Sequence, residues 1–344
     1  MRRLARIFSA LFPFVFSASV SAFSLEMDTV EKYFGDNPRA TKREIIPVVD
    51  RKAPVHQDLT RMTLDCGTKG SPCEALIAVN IDPSDVMHGI RWNDFPAFYL
   101  TKNPPSCAKR ILRITNQNDV PCYIAVLGSS WMYSGKFRDN PDWAMTQPFV
   151  ARGHFGDMQF WHAMAPSRQT AGETYDLIQM WMEFAFRVSL GDLDLNADVY
   201  DAPVSGLKNF FLKGSRRVGD LVDYRYNDHK EMAKGVALGQ LLHLSQDSFA
   251  KCHSDRDSEG KLIRFYDYSG QSSGVHKRFD SEAREVEIAT TKQLNPVDFG
   301  QRLLRLRAES VSWDDAKPKL YVLVKENFQP KNPYLLSRFG TDCI

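Results

Sequence analysis

The chain has 344 residues, 43% of them hydrophobic and 12% aromatic, which is enough apolar mass for one large domain or two modest ones. Its formal net charge is +2 with 25% charged residues. That balance lacks the basic excess of a general nucleic-acid binder and the acidic tail of a disordered solvating region, although a small local patch would be averaged away.

Residues 1–22 read as a signal peptide. Arg2, Arg3 and Arg6 form a positive start, Ile7 to Val20 is apolar, and Val20-Ser21-Ala22 offers small residues to a signal peptidase. The apolar stretch is shorter than the ~20 residues a bilayer-spanning helix needs. The expected mature chain is therefore 23–344, secreted or periplasmic. Six cysteines suit such an oxidising compartment: Cys66, Cys73, Cys107, Cys122, Cys252 and Cys343. Connectivity is not fixed by sequence. Local closure favours Cys66–Cys73 and Cys107–Cys122, which leaves Cys252 with Cys343. No C-x-x-C pair offers a thiolate zinc site, so any metal falls to His, Asp and Glu.

Leu25 to Pro54 is polar and reads as an extended leader. From His56 to Ile81 the apolar spacing is mixed and selects no element. An insertion of undefined structure is expected at about 96–152, with a short strand at Cys122–Leu127. Thr170 to Leu190 carries Leu177, Ile178, Trp181, Met182, Ala185, Phe186 and Val188 at helical spacing. His229 to Phe249 repeats that periodicity with Met232, Val236, Leu238, Leu241, Leu242 and Leu244. Val297 to Val311 is a third amphipathic helix, introduced by Asn295-Pro296. Lys319–Val324 reads as a second strand. The sum is an all-α fold, a single mostly helical domain.

On the second helix His243 and Asp247 are four residues apart, so both lie on one face, where an imidazole and a carboxylate converge on one cation. A surface pair is the bland explanation for that spacing. Against it stand the apolar neighbours Leu241, Leu242 and Leu244, with His253 ten residues after His243. On an ideal helix His253 points away, so it serves a second ion or follows a bend. His276 and Asp280 repeat the spacing. Each of the other histidines is weak by itself: His88, His154 in Gly153-His-Phe-Gly-Asp157, and His162. His229 reads as plain surface. Trp92-Asn93-Asp94 is a compact aromatic–acidic run.

Together these residues resemble the zinc-dependent phospholipase C and single-strand nuclease (S1–P1) family, which carries His-x-x-x-Asp followed by a further His. Here that stretch is His243-Leu-Ser-Gln-Asp247-Ser-Phe-Ala-Lys-Cys-His253. The family's second pair corresponds to His276-Lys-Arg-Phe-Asp280, and its earlier Trp-x-Asp and His to Trp92-Asn-Asp94 and His154-Phe-Gly-Asp157. The resemblance covers roughly Asp85 to Asp280. It implies an all-α fold with two or three zinc ions in a cleft. His154, His243, Asp94 and Asp247 would hold one ion, and His253, His276 and Asp280 another. Asp247 would bridge to a third, which in the family is also bound by a mature N-terminal Trp and a nearby His. Here Phe23 stands at the expected N-terminus, and His56 is left for the histidine role. The gap of 60 residues from Asp94 to His154 exceeds the family pattern and leaves His162 as the alternative to His154.

The resemblance implies metal-activated water attacking phosphorus, with Asp94 orienting or deprotonating the nucleophile and Asp157 able to support a ligand imidazole. The expected substrate is a phospholipid such as phosphatidylcholine at a membrane surface, with Trp92, Phe95, Phe98 and Tyr99 as candidate head-group aromatics. No stable protein partner is implied. Two alternatives stand. A nuclease would need bases stacking along a basic groove, for which Arg256, Lys261 and Arg264 near Phe265-Tyr266 are the nearest candidates. A non-catalytic zinc-binding protein would need closed coordination.

Overall fold

The computed structural model describes residues 55–94, 96, 98–99, 111–112, 126, 130, 134–223, 230–269, 271 and 289–340. The expected signal peptide at 1–22 lies outside them, as do His229, His276, Asp280, Cys107, Cys122 and Cys343. So does the expected strand Cys122–Leu127, except for Val126, which is helical.

The stretch whose spacing selected no element is helical. Helix α1, Val55–Leu64, buries His56 beside Val55, Leu59 and Leu64. Helix α2, Pro72–Ala78, starts where the Ser71 side chain accepts from the Glu74 N–H, and Pro72 supplies a preset φ in the first turn. The Cys66–Cys73 disulfide closes the loop between them, as expected from local closure. Helix α3, Pro83–Trp92, is capped by Asp82, which accepts from Ser84 N–H.

Within the expected insertion, Phe98–Tyr99 (β1) pairs antiparallel with Ile111–Leu112 (β2). Three short helices follow: α4, Ser134–Asp139; α5, Pro141–Met145; and α6, Phe149–Phe155. Helix α6 runs across the expected insertion end at 152 and buries Phe149, Val150 and Ala151. A 3-10 turn, Gln159–His162, ends at Ala163, whose backbone is left-handed.

Helix α7, Ala171–Leu190, matches the expected span. A reciprocal Thr170–Glu173 capping box starts it, and left-handed Gly191 ends it. Helix α8, Lys230–Asp247, carries Val236, Leu238, Leu241, Leu242 and Leu244, all buried. Its polar residues Gln240, His243, Gln246 and Asp247 are buried too, so the helix lies in the interior. It packs on α1, α3, α7 and on helix α9, Pro296–Glu309, whose first turn is capped by Asn295. An antiparallel hairpin lies between them, Ser254–Arg256 (β3) with Leu262–Phe265 (β4).

One expected element is wrong in type. Lys319–Val324 is not a strand but the middle of helix α10, Trp313–Phe328. Its buried residues include Trp313, Ala316, Leu320, Leu323, Val324 and Phe328, which follow helical rather than alternating spacing, and Ser312 caps its start. The short window read as a strand hid that longer period. The described residues are thus mostly helical, with two small hairpins. Among them no helix is long and apolar enough to cross a membrane.

The α3–α8 crossing sets the position of everything below it. A Cβ on Gly239 would lie 2.1 Å from the Val86 carbonyl oxygen, and one on Gly89 would lie 2.1 Å from the Val236 oxygen. At Gly235 a Cβ would come within 2.3 Å of Asp85 Cβ. The two backbones touch because no side chain separates them. Gly239→Ala should therefore destabilise the protein by about 1–3 kcal/mol or more through overpacking. Gly67→Ala, where an added Cβ meets nothing within 4 Å, should stay within about 0.5 kcal/mol of wild type in urea unfolding.

Candidate metal centre

Four residues spaced by four make one stripe along α8: Gly235, Gly239, His243 and Asp247. The glycines bring α3 close, and at the next turn the His243 Nδ1 donates to the Ile90 carbonyl of α3 at 2.6 Å. That bond fixes the tautomer and leaves Nε2 with its lone pair facing inward. Nε2 lies 2.9 Å from Asp247 Oδ2.

Three more segments converge on the same point. Helix α3 ends at Trp92, and Asn93 clamps the following turn by donating to the Trp161 and Gln240 carbonyls at 2.8 and 3.3 Å. Asp94 then projects inward, its Oδ1 3.9 Å from both His162 Nδ1 and His243 Nε2. The 3-10 turn delivers His162, whose Nδ1 lies 2.8 Å from Asp247 Oδ2. Helix α1 delivers His56. Its Nδ1 donates to Gln246 Oε1 at 2.6 Å, while Gln246 donates onward to Thr60 Oγ1 at 2.8 Å. The His56 Nε2 is thereby held 3.3 Å from Asp247 Oδ1, and the ring stacks on His243 with centroids 4.1 Å apart.

His253 does not continue the helix. Helix α8 stops at Asp247, and the chain reverses through Cys252, at φ 77°, into β3. That bend returns His253 so that its Nδ1 donates to the His162 carbonyl at 2.6 Å and sits 3.8 Å from Asp247 Oδ2. The partly buried Arg256 guanidinium holds the bend. It donates to the Ser248, Gly260 and Asn327 carbonyls at 2.6, 2.6 and 2.9 Å and lies over the Phe249 ring.

The five site histidines and aspartates (His56, Asp94, His162, His243 and Asp247) are all buried, and so is His253. Burial pushes the imidazoles of His162 and His243 down to about 4, against the opposing pull of Asp247. It also lowers His253. Burial and the Asp247 charge raise Asp94 well above the usual carboxylate range. Asp247 goes the other way: burial alone would raise it, but His243, His253 and the hydrogen bond from His162 hold it well below.

Two overlapping groups can each hold a metal ion: His56, His243 and Asp247, and Asp94, His162 and His243. Asp94 supplies the test of fit. Both its oxygens are buried and accept no hydrogen bond among the described residues, and His162 Nε2 is in the same condition. Buried acceptors left like this are costly, and a cation is the partner that suits them. Because His243 has committed Nδ1 to Ile90, it has one lone pair and can serve one ion. The two groups therefore share that ion or compete for it.

The chain matches no known family model, no characterised protein and no solved structure.

The expected site residues His56, Asp94, His243, Asp247 and His253 come together from sequence positions 56 to 253. His154 stands one ring further out, its centroid 4.7 Å from that of His162 and its Nδ1 donating to the Val150 carbonyl. It belongs to neither three-residue group, whereas His162, the alternative, belongs to one. Asp157 does not support an imidazole. It forms a two-point ion pair with Arg152 at 2.9 and 2.5 Å, because a buried guanidinium five residues away competes for it. Trp92 is fully buried against Trp161 and Trp181, so it is core rather than a head-group contact. His88 pairs with Asp223 at 2.7 Å and belongs to neither three-residue group. Gln246 and the Ile90 carbonyl, which aim His56 and His243, had no sequence signal beyond Gln246 being next to Asp247.

With metal removed by chelation, stability should depend on pH through these histidines. The folded imidazoles of His162 and His243 stay neutral down to about 4, whereas unfolded ones take up protons below about 6.5. Over these two histidines the unfolded state binds more protons, an excess that the single raised carboxyl of Asp94 offsets in part, so stability should fall as pH drops from about 6.5 to about 4. Urea midpoints of the chelated protein across that range check this. His243→Gln should flatten the slope, and an unchanged slope would contradict it.

Proposed function

We propose that the chain is an exported zinc-dependent phosphodiester hydrolase, a phospholipase C acting on phospholipids. The observation that carries the proposal is the pair of buried carboxylates, Asp94 and Asp247, facing the same two imidazoles, His162 and His243, with Asp94 lacking any other partner among the described residues. A mixed imidazole–carboxylate donor set without thiolates suits zinc. His56, Asp94, His162, His243 and Asp247 would hold it, and His253, His276 and Asp280 are carried by the resemblance. When bound, zinc supplies Lewis acidity toward a phosphodiester and acidifies water.

The protein's own groups divide the remaining work. The Ile90 carbonyl and Gln246 fix which nitrogen each histidine presents. Asp247 offers one oxygen toward His56 and the other toward His162 and His243, the disposition a bridging carboxylate needs. Asp94 orients or deprotonates the nucleophile, a role that rests on the resemblance.

Lipid is favoured over nucleic acid because the basic residues named as groove candidates already have protein partners. Arg256 is held among carbonyls, Lys261 pairs with Glu259 at 3.0 Å, and Arg264 lies 3.4 Å from Asp255. A strand-binding groove would need such charges open to phosphates. Export fits the Cys66–Cys73 disulfide.

Zinc-replete protein should contain two or three zinc ions per chain. Less than one ion would reject the proposal. Asp247→Asn should lower turnover of a chromogenic phosphodiester at least a hundredfold. Phosphatidylcholine and single-stranded DNA assayed side by side then separate the readings. Cleavage of DNA alone would make the chain a nuclease, and zinc without either activity would make it a binding protein.

A further inference from the structure

Beside the metal centre lies a cavity of about 440 Å³ bounded by α6, the 3-10 turn and the chain after β4. That size falls within the ~300–1,000 Å³ typical of small-ligand sites. Its walls share elements with the centre. Phe155, next to His154, lines the cavity, and its ring lies 5.2 Å from that of Tyr268, which is also 5.2 Å from His154. Gln159 lines the cavity from the turn that carries His162 three residues on, and in a 3-10 turn that spacing places both on one side.

The lining decides what can enter. Phe137, Phe155, Leu177, Phe210 and Phe339 supply apolar surface. Most of the polar side-chain groups are occupied by protein partners, the Ser269 hydroxyl and the Gln169 oxygen being the exceptions. Asp157 is held by Arg152. Gln159 donates to Asp267 Oδ1 at 3.1 Å and accepts from the Tyr268 N–H at 2.9 Å. Asp267 also accepts from the Ser167 and Ser269 N–H groups and from the Ser167 hydroxyl. Gln169 donates to Thr174 at 2.8 Å. Among the described lining residues there is no Lys or Arg. An anion would find no counter-charge here, and a nucleobase only two open hydrogen-bonding groups, whereas hydrocarbon needs neither.

We propose that this cavity binds an acyl chain of a neutral glycerolipid group, the part of the substrate that carries no phosphate. The proposal takes the glycerolipid from the function proposed above, but chain binding is measured without catalysis. The zinc-loaded full chain is titrated calorimetrically with monoacylglycerols of six to twelve acyl carbons. Affinity should rise about fourfold per methylene until the cavity is filled. Leu177→Trp, which fills the space from α7, should weaken binding at least tenfold while leaving zinc content and turnover of a water-soluble phosphodiester unchanged. Phe210→Ala, which removes a wall instead, should also weaken it and serves if the first variant does not fold. A flat chain-length series, or full binding by both variants, would overturn the proposal. So would a nucleoside monophosphate whose binding Leu177→Trp abolishes. A steep series in a protein without phosphodiesterase activity would uphold the acyl site and reject only the catalytic reading.

Discussion

The structure depends on the close approach of α3 to α8. Gly89, Gly235 and Gly239 let two helix backbones touch, and each would place a Cβ within 2.3 Å of its neighbour. One turn further along α8, that approach becomes a hydrogen bond from His243 to the Ile90 carbonyl. Two residues beyond the end of α3, it sets Asp94 opposite His243. A helix pair separated by ordinary side chains stands roughly 8–10 Å apart between axes. At such a distance the carbonyl and the imidazole would be harder to join.

What converges there is a set of ionisable groups that the interior alone does not favour. Desolvation keeps His162 and His243 neutral and pushes Asp94 toward its protonated form, while His243, His253 and the hydrogen bond from His162 hold Asp247 ionised. Isolated buried charge is expensive, and half-satisfied polar clusters are worse than apolar packing. The surrounding architecture nonetheless devotes an asparagine clamp, a glutamine relay and an arginine to holding these groups in place. Such support is what a cation site needs around its ligands.

Much of this was legible in the sequence, for uneven reasons. Helices α7, α8 and α9 are long and periodic, so their spans were readable to within a few residues. The strand expected at Lys319–Val324 failed because a lysine followed by five residues of Leu, Tyr and Val fits either period, and Ser312 several residues earlier is what marks a helix start. His243 and Asp247 were readable because four-residue spacing is a property of one helix. The choice between His154 and His162 was not, since it depends on how α6 and the 3-10 turn fold back, which involves contacts far apart in sequence. The bend at Cys252 that returns His253 has a left-handed residue that is not glycine, so no local signal announced it.

Asp247 is the last residue of α8. The C-terminal end of a helix carries the negative pole of its macrodipole, about half an elementary charge. The cluster therefore combines that pole with the ionised Asp247 carboxylate in a water-poor interior. Such a field attracts a cation and repels a phosphodiester. On the proposed function, binding in this centre would be ordered: the metal would have to come first, since only its positive charge would make the site hospitable to an anion.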